Sequence, residues 1–202
     1  MKYMDVYDRF ESMGLSVFSF GDLMKSFPGD RDTVKQQLSS WKKKGWILNL
    51  KKGIYELAYP RRTVKSDLYI ANRLYEPSYV SLETALSYYS LIPDVAMGGV
   101  TSVTAKATRE LRNQYGFFSY RSIVERGFLG YSLIDVRGLP VKIAEPEKAF
   151  VDFLHYNKDA SLDDLRFDRR KLKDLDKKKL FSYAGDLGAS HEKTARDIYA
   201  DL

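Results

Sequence analysis

Residues 30–57 read Asp30-Arg31-Asp32-Thr33-Val34-Lys35-Gln36-Gln37-Leu38-Ser39-Ser40-Trp41-Lys42-Lys43-Lys44-Gly45-Trp46-Ile47-Leu48-Asn49-Leu50-Lys51-Lys52-Gly53-Ile54-Tyr55-Glu56-Leu57. Val34, Leu38 and Trp41 recur at i, i+4 and i+7, the spacing of one buried helical face. Asp30 stands where an N-cap is wanted, and Asp32 suits the positive end of the helix dipole. Lys42, Lys43 and Lys44 suit the negative end, and Gly45 stops the helix. Trp46, Leu48 and Leu50 then alternate with Ile47 and Asn49. Lys51-Lys52-Gly53 supplies a turn with glycine where a left-handed residue is needed, and Ile54 to Leu57 returns as the second arm of a hairpin.

Upstream, Val6, Phe10 and Met13 mark an amphipathic helix from Tyr3 to Met13, closed by Gly14. Ser19 precedes a short second helix, Phe20 to Phe27, which Pro28-Gly29 must end. Helix, helix, turn, helix, hairpin is the order of a winged helix-turn-helix, whose third helix enters the major groove and whose hairpin loop meets the DNA backbone. The face opposite Val34, Leu38 and Trp41 carries Asp32, Thr33, Gln36, Ser39, Ser40 and Lys43, flanked by Arg31 and Lys35. Short hydrogen-bonding residues mixed with cations are what base-edge readout requires. Gln36 is placed to address adenine, Arg31 or Lys35 to address guanine or phosphate, and Lys51 and Lys52 to neutralise phosphates without reading sequence. The bland alternative is a solvated helix face whose lysines only complement the dipole.

Charge favours the DNA reading. Residues 1–62 hold 12 Lys+Arg against 7 Asp+Glu, whereas the other 140 residues hold 21 against 20, so most of the net charge of +6 sits at the front. That is where a polyanion would be attracted.

At 202 residues, 44% hydrophobic and 30% charged, the chain can bury two modest cores. With no Cys, disulfides, thiolate zinc sites and Cys nucleophiles are excluded, leaving only His155 and His191 as imidazoles. No apolar run is long enough to span a bilayer, and Met1 to Asp5 lacks the basic-then-apolar pattern of a signal peptide, so a cytoplasmic protein without membrane contact is expected.

Tyr59 to Ser66 has no periodicity and carries Pro60 with Arg61 and Arg62. It divides a winged helix-turn-helix over residues 1–60 from a mixed α/β domain over residues 67–202, an α+β chain overall. In the second part, Asp67–Tyr75 and Ser81–Leu91 read as helices, the latter capped by Ser81. Val100–Thr104, Phe117–Ile123, Leu129–Val136 and Val141–Ala144 read as strands. Glu145-Pro146-Glu147 opens a helix whose apolar face is Ala149, Phe150, Phe153 and Leu154. From Leu162 onward the chain reads as a charged helical tail. Its cations alternate with Asp168, Asp174 and Asp176, which favours a solvated helix pair over a second nucleic-acid surface.

Four phrases in this second part carry a family signature: Tyr79-Val80-Ser81-Leu82-Glu83-Thr84-Ala85-Leu86-Ser87-Tyr88-Tyr89-Ser90-Leu91-Ile92-Pro93, Val100-Thr101-Ser102-Val103-Thr104, Tyr115-Gly116-Phe117-Phe118-Ser119-Tyr120-Arg121 and Ala144-Glu145-Pro146-Glu147-Lys148-Ala149. In order and spacing they resemble the AbiEi-type antitoxins of abortive-infection toxin–antitoxin systems, over roughly residues 5 to 155. The resemblance implies an N-terminal domain that represses its own operon at inverted repeats. It also implies a C-terminal domain that counteracts a nucleotidyltransferase-type toxin, often without a stable toxin complex. Carried onto this chain, Lys106, Thr108, Arg109 and Arg121 become the antitoxin surface. Their plain alternative is a set of solvated polar and basic groups beside a sheet. The tail from Ser161 has no counterpart.

No catalytic group, metal or cofactor is expected. Pro93-Asp94 followed by Asp135-Val136-Arg137 faintly matches a metal-dependent nuclease core, but arginine stands where lysine should orient the water and it cannot act as a base. Glu145 and Glu147 sit where a helix dipole attracts acids, and Gly98-Gly99 is too isolated to cradle phosphate. A toxin-binding adaptor that never touches DNA is a further alternative, and it predicts no salt-dependent duplex binding.

Overall fold

The computed structural model describes residues 1–60, 66–93, 99–157, 162 and 166–202. The expected boundary residues Arg61 to Lys65, the Asp94 of the nuclease-like pair, Gly98, and parts of the stretch leading into the tail lie outside the described residues.

The chain is α+β. Its N-terminal unit runs α1 (Tyr3–Ser12), β1 (Val17–Ser19), α2 (Phe20–Ser26), α3 (Arg31–Lys43), β2 (Ile47–Lys51) and β3 (Ile54–Leu57). Ser19 and Asp22 form a reciprocal capping box that starts α2, and Asp30 caps α3 by accepting from Thr33 N at 2.8 Å. Strand β1 was not apparent in the sequence, because three residues are too few for a periodicity to show. It pairs antiparallel with β3, giving a three-stranded sheet in the order β1-β3-β2. Tyr3, Val6, Phe10, Phe18, Leu23, Val34, Leu38, Trp41, Ile47 and Leu57 pack together as the core of this unit.

The expected alternation along β2 is corrected. Ile47 is buried in the N-terminal core with Trp46 packed against that core beside it, and Leu50 packs instead with the core of the second unit. A register shift between Asn49 and Lys51 turns the strand. Because the small sheet is covered on both faces, simple two-fold alternation with one wet face does not apply.

The second unit continues α4 (Asp67–Leu74), β4 (Ser78–Val80), α5 (Leu82–Tyr88), β5 (Gly99–Thr104), β6 (Arg109–Asn113), β7 (Gly116–Ser122), a 3₁₀ turn (Glu125–Gly127), β8 (Tyr131–Val136), β9 (Leu139–Ala144), α6 (Pro146–Tyr156), α7 (Arg169–Lys173), α8 (Lys177–Leu187) and α9 (Ala189–Ala200). Its six strands form one mixed sheet in the order β6-β7-β5-β4-β9-β8, with β5/β7 and β4/β9 parallel. Side chains alternate across it: Tyr79 reaches Asp152 of α6 on one face, while Tyr120 donates to Ala71 O of α4 on the other. Strands β4 and β6 are additions to the sequence reading. β6 is exposed and charged, Arg109-Glu110-Leu111-Arg112-Asn113, the composition of an edge strand, where charge blocks further pairing.

Two expectations change here. Ser81 precedes α5 but makes no capping hydrogen bond, because its hydroxyl donates at 2.7 Å to Asp152. The tail is not a solvated helix pair. Among the described residues it forms three helices whose Leu172, Leu180, Ala184, Leu187 and Ala195 belong to the main core, so the apolar spacing inside its charged sequence directs the docking. Glu147 fastens it by accepting from Asp176 N at 2.9 Å.

At the heart of the second unit, Lys148 and Asp152 of α6 form a fully buried ion pair one turn apart. Asp152 also accepts from Tyr79 Oη (3.0 Å) and Ser81 Oγ. Burial pushes its carboxyl up, and Lys148, Ser81 and Tyr79 pull it back down.

Among the described residues, no helix is long and apolar enough to cross a membrane.

Candidate nucleic-acid interface

Helix α3 presents a clear division of side chains. Val34, Leu38 and Trp41 are buried, while Arg31, Thr33, Lys35, Gln36, Ser39, Ser40 and Lys43 are all exposed. They are not equally available. Thr33 Oγ1 donates to Asp30 at 2.9 Å, so its hydroxyl serves the cap. Lys35 Nζ lies 2.8 Å from Asp32, which neutralises it, and Arg31 stacks 5.1 Å from the Phe20 ring. Gln36, Ser39, Ser40 and Lys43 make no side-chain hydrogen bond or ion pair among the described residues. They form the stretch of the helix with polar groups uncommitted, and the sequence could not rank them above Lys35 because an i, i+3 ion pair depends on rotamers.

At the hairpin the two lysines expected on a wing part company. Lys52 is exposed at the tip, beside Gly53, whose φ of 80° makes the turn. Lys51 is half-buried and reaches back to Tyr75 at the end of α4, with Nζ 5.3 Å from the ring centroid. Lys106 Nζ and Arg109 Cζ each lie 5.7 Å from the same ring. None of the three forms an ion pair among the described residues. Lys106 donates only to the backbone carbonyl of Glu76. The hairpin cation and two cations expected on a separate surface therefore make one cluster about Tyr75.

The cluster's electrostatics leave a mark on Lys51. Its ammonium is held below the ordinary lysine value of 10.5, first by burial and then by repulsion from Arg109 and Lys106. Replacing Lys106 and Arg109 by Gln removes the repulsive part. The Lys51 pKa is then expected to rise toward its ordinary value, read by the pH dependence of its Cε–Hε NMR signals, and saturating duplex DNA raises it further in the unaltered chain. An unchanged titration in the double variant refutes the electrostatic account.

Thr108 and Arg121 behave differently. Thr108 Oγ1 accepts from Ser122 N at 3.1 Å and so ties the start of β6 to the end of β7. Arg121 follows Tyr120, whose ring packs on Tyr75 on the α4 face, so strand alternation sends Arg121 to the other face. There it lines a concavity with Glu83, Glu110, Tyr156 and Asn157. The four residues taken from the resemblance do not make one surface.

Side-chain hydrogen bonds and an ion pair tie the elements around the cluster to the N-terminal unit. Tyr115 Oη donates to Glu56 at 2.5 Å, and Arg73 reaches Val17 O (3.1 Å) and Asp22 (2.8 Å). Tyr69 Oη donates to Gly14 O at 3.3 Å. Tyr75, Tyr115 and Arg73 were not singled out in the sequence, since no local pattern signals a residue whose partner lies on another unit.

Several of the tail's charged groups are engaged within the tail or against the rest of the second unit. Asp168 and Asp176 cap α7 and α8, Lys179 pairs with Glu145 at 2.7 Å, Arg196 with Glu192 at 2.6 Å, and Lys171 donates to Ser90 O. Lys179 holds the Glu145 carboxyl below the usual range, with Tyr183 adding a weaker pull. His155 and His191 meet at 2.9 Å between α6 and α9. Asp135 accepts from Gly138 N at 2.9 Å in the β8–β9 turn, a turn-forming role.

No family model matches the chain, and no curated protein matches it. Among solved structures, it is similar to the crystal structure of the Rv2827c protein from Mycobacterium tuberculosis, with 14% identity and a TM-score of 0.57 over 96% of this chain and 75% of that one. At that identity the likeness is one of fold alone.

Proposed function

We propose that this chain is a DNA-binding transcriptional repressor whose N-terminal unit acts as a winged helix-turn-helix. Helix α3 enters the major groove, and Lys51, Lys52, Lys106 and Arg109 neutralise phosphates beside it. The observation that carries this reading is the gathering of Lys51, Lys106 and Arg109 around Tyr75 without a carboxylate partner. Three cations that repel one another are best satisfied by an external polyanion. The uncommitted Gln36, Ser39, Ser40 and Lys43 supply donors and acceptors for base edges.

The resemblance of the second unit to AbiEi-type antitoxins extends the proposal. The repressor acts on its own operon, at inverted repeats bound by two copies, and opposes a nucleotidyltransferase-type toxin. It acts in the cytoplasm and needs neither metal nor cofactor. The deciding experiment is fluorescence anisotropy of the full chain with a duplex from its own upstream region across a salt series. Affinity is expected to fall steeply and linearly in log–log form, and a flat response leaves the adaptor reading instead. Co-expression with the neighbouring toxin tests the antitoxin part by growth rescue.

Base readout has its own test. Gln36→Ala is expected to weaken the cognate duplex by about 1–3 kcal/mol and to relax preference at one base pair, while leaving the salt slope unchanged. Equal weakening on random duplex would remove Gln36 from base readout.

A further inference from the structure

Where the turn after α1 meets α4 and the β8–β9 hairpin, the two units leave a cleft of about 210 Å³. Met13 and Leu133, both among its lining residues, are 57% and 66% exposed, the highest values for large apolar side chains among the described residues. Two such side chains on the lining of one concavity, one from each unit, are unusual on a surface otherwise rich in charge. Ser78 also lines the cleft. It is only 2% exposed, and its hydroxyl has no hydrogen-bond partner among the described residues. A buried hydroxyl left so is unfavourable, which a bound polar group that reaches it would relieve.

The lining's charges point to the sign of that group. Arg73 is already engaged by Asp22 and Glu76. Lys142, whose backbone is clasped by the Asn72 side chain, keeps an exposed ammonium with no carboxylate among the described residues. The volume exceeds the roughly 150 Å³ that suffices for benzene in an engineered apolar cavity.

We propose that this cleft is a binding site for a small amphipathic carboxylate, its apolar body held between Met13 and Leu133 and its charge met by Lys142. The site goes beyond the DNA-binding reading and does not rest on it. Junctions between units are where concave ligand sites commonly form, because two surfaces can supply apolar walls and a few convergent polar groups.

The test uses the full chain, labelled at the Met and Leu methyl groups, titrated by NMR with phenylacetate, 2-phenylethanol and 2-phenylethylamine. Phenylacetate is expected to shift the Met13 and Leu133 methyls saturably, the alcohol about tenfold more weakly and the amine least. Lys142→Gln should weaken phenylacetate about tenfold and erase its advantage over the alcohol. Leu133→Ser, at an exposed position that the fold does not need, should weaken all three. The proposal is overturned if no probe shifts these methyls saturably, if the amine binds as well as the carboxylate, or if Lys142→Gln binds phenylacetate as the unaltered chain does.

Discussion

Asp152→Asn is expected to lower the unfolding free energy by about 3–5 kcal/mol, measured by urea denaturation at neutral pH. The substitution keeps the side chain's size and an acceptor for Tyr79 and Ser81, so what it removes is the negative charge beside Lys148. Both members of the pair are fully buried. A lone ammonium there has no water and no counter-charge, and a buried charge stripped of its partner is among the most destabilising single changes. Since small domains are held by about 5–15 kcal/mol in total, the variant would lose a large share of its stability. Lys148→Met with Asp152→Leu is expected to be less destabilised than Asp152→Asn, because no charge is left alone and the loss falls to the unpaired hydroxyls of Tyr79 and Ser81. If Asp152→Asn stays within about 1 kcal/mol of the parent, the pair does not stabilise the fold as described.

The second large effect concerns DNA. Replacing Lys51, Lys106 and Arg109 together by Ala is expected to reduce the salt slope by about 2.7, at about 0.9 for each phosphate contact removed. If the contacts act through counterion release, affinity at 0.1 M salt falls about 500-fold for cognate and random duplex alike. Specificity should survive, because phosphate contacts position the protein and carry little sequence information. The three side chains are exposed or half-buried, and none is in the core, so the loss should not be one of folding. A triple variant with an unchanged slope would show that the Tyr75 cluster faces away from DNA, leaving Lys52 and the α3 cations as the contacts.

Much of the N-terminal unit was legible along the chain because its determinants are local. The Asp30 cap, the Val34-Leu38-Trp41 stripe and the stop at Gly45 place α3, and Lys51-Lys52-Gly53 places the hairpin turn, without reference to any distant residue. The helix opened by Pro146, with an acidic first turn, was equally clear. Strands β1, β4 and β6 were not, since three-residue pairings and a charged edge strand draw their stability from neighbours rather than from their own pattern.

The candidate site divides in the same way. Lys106 and Arg109 came from the family resemblance, while composition and periodicity selected the exposed face of α3 and assigned cations to the hairpin turn. They could not show that Lys35 is neutralised by Asp32, that Arg121 faces away from Arg109, or that Lys51 turns from Lys52 toward Tyr75. Each of these depends on rotamers, strand alternation or the docking of one unit on another. The sequence by itself determined the local elements and the sign of the charge they carry, because those follow from neighbouring residues. Only the tertiary structure decided which charges meet, because Lys51 and Arg109 are far apart along the chain and are brought together by the contacts of Arg73, Tyr69 and Tyr115 across the junction.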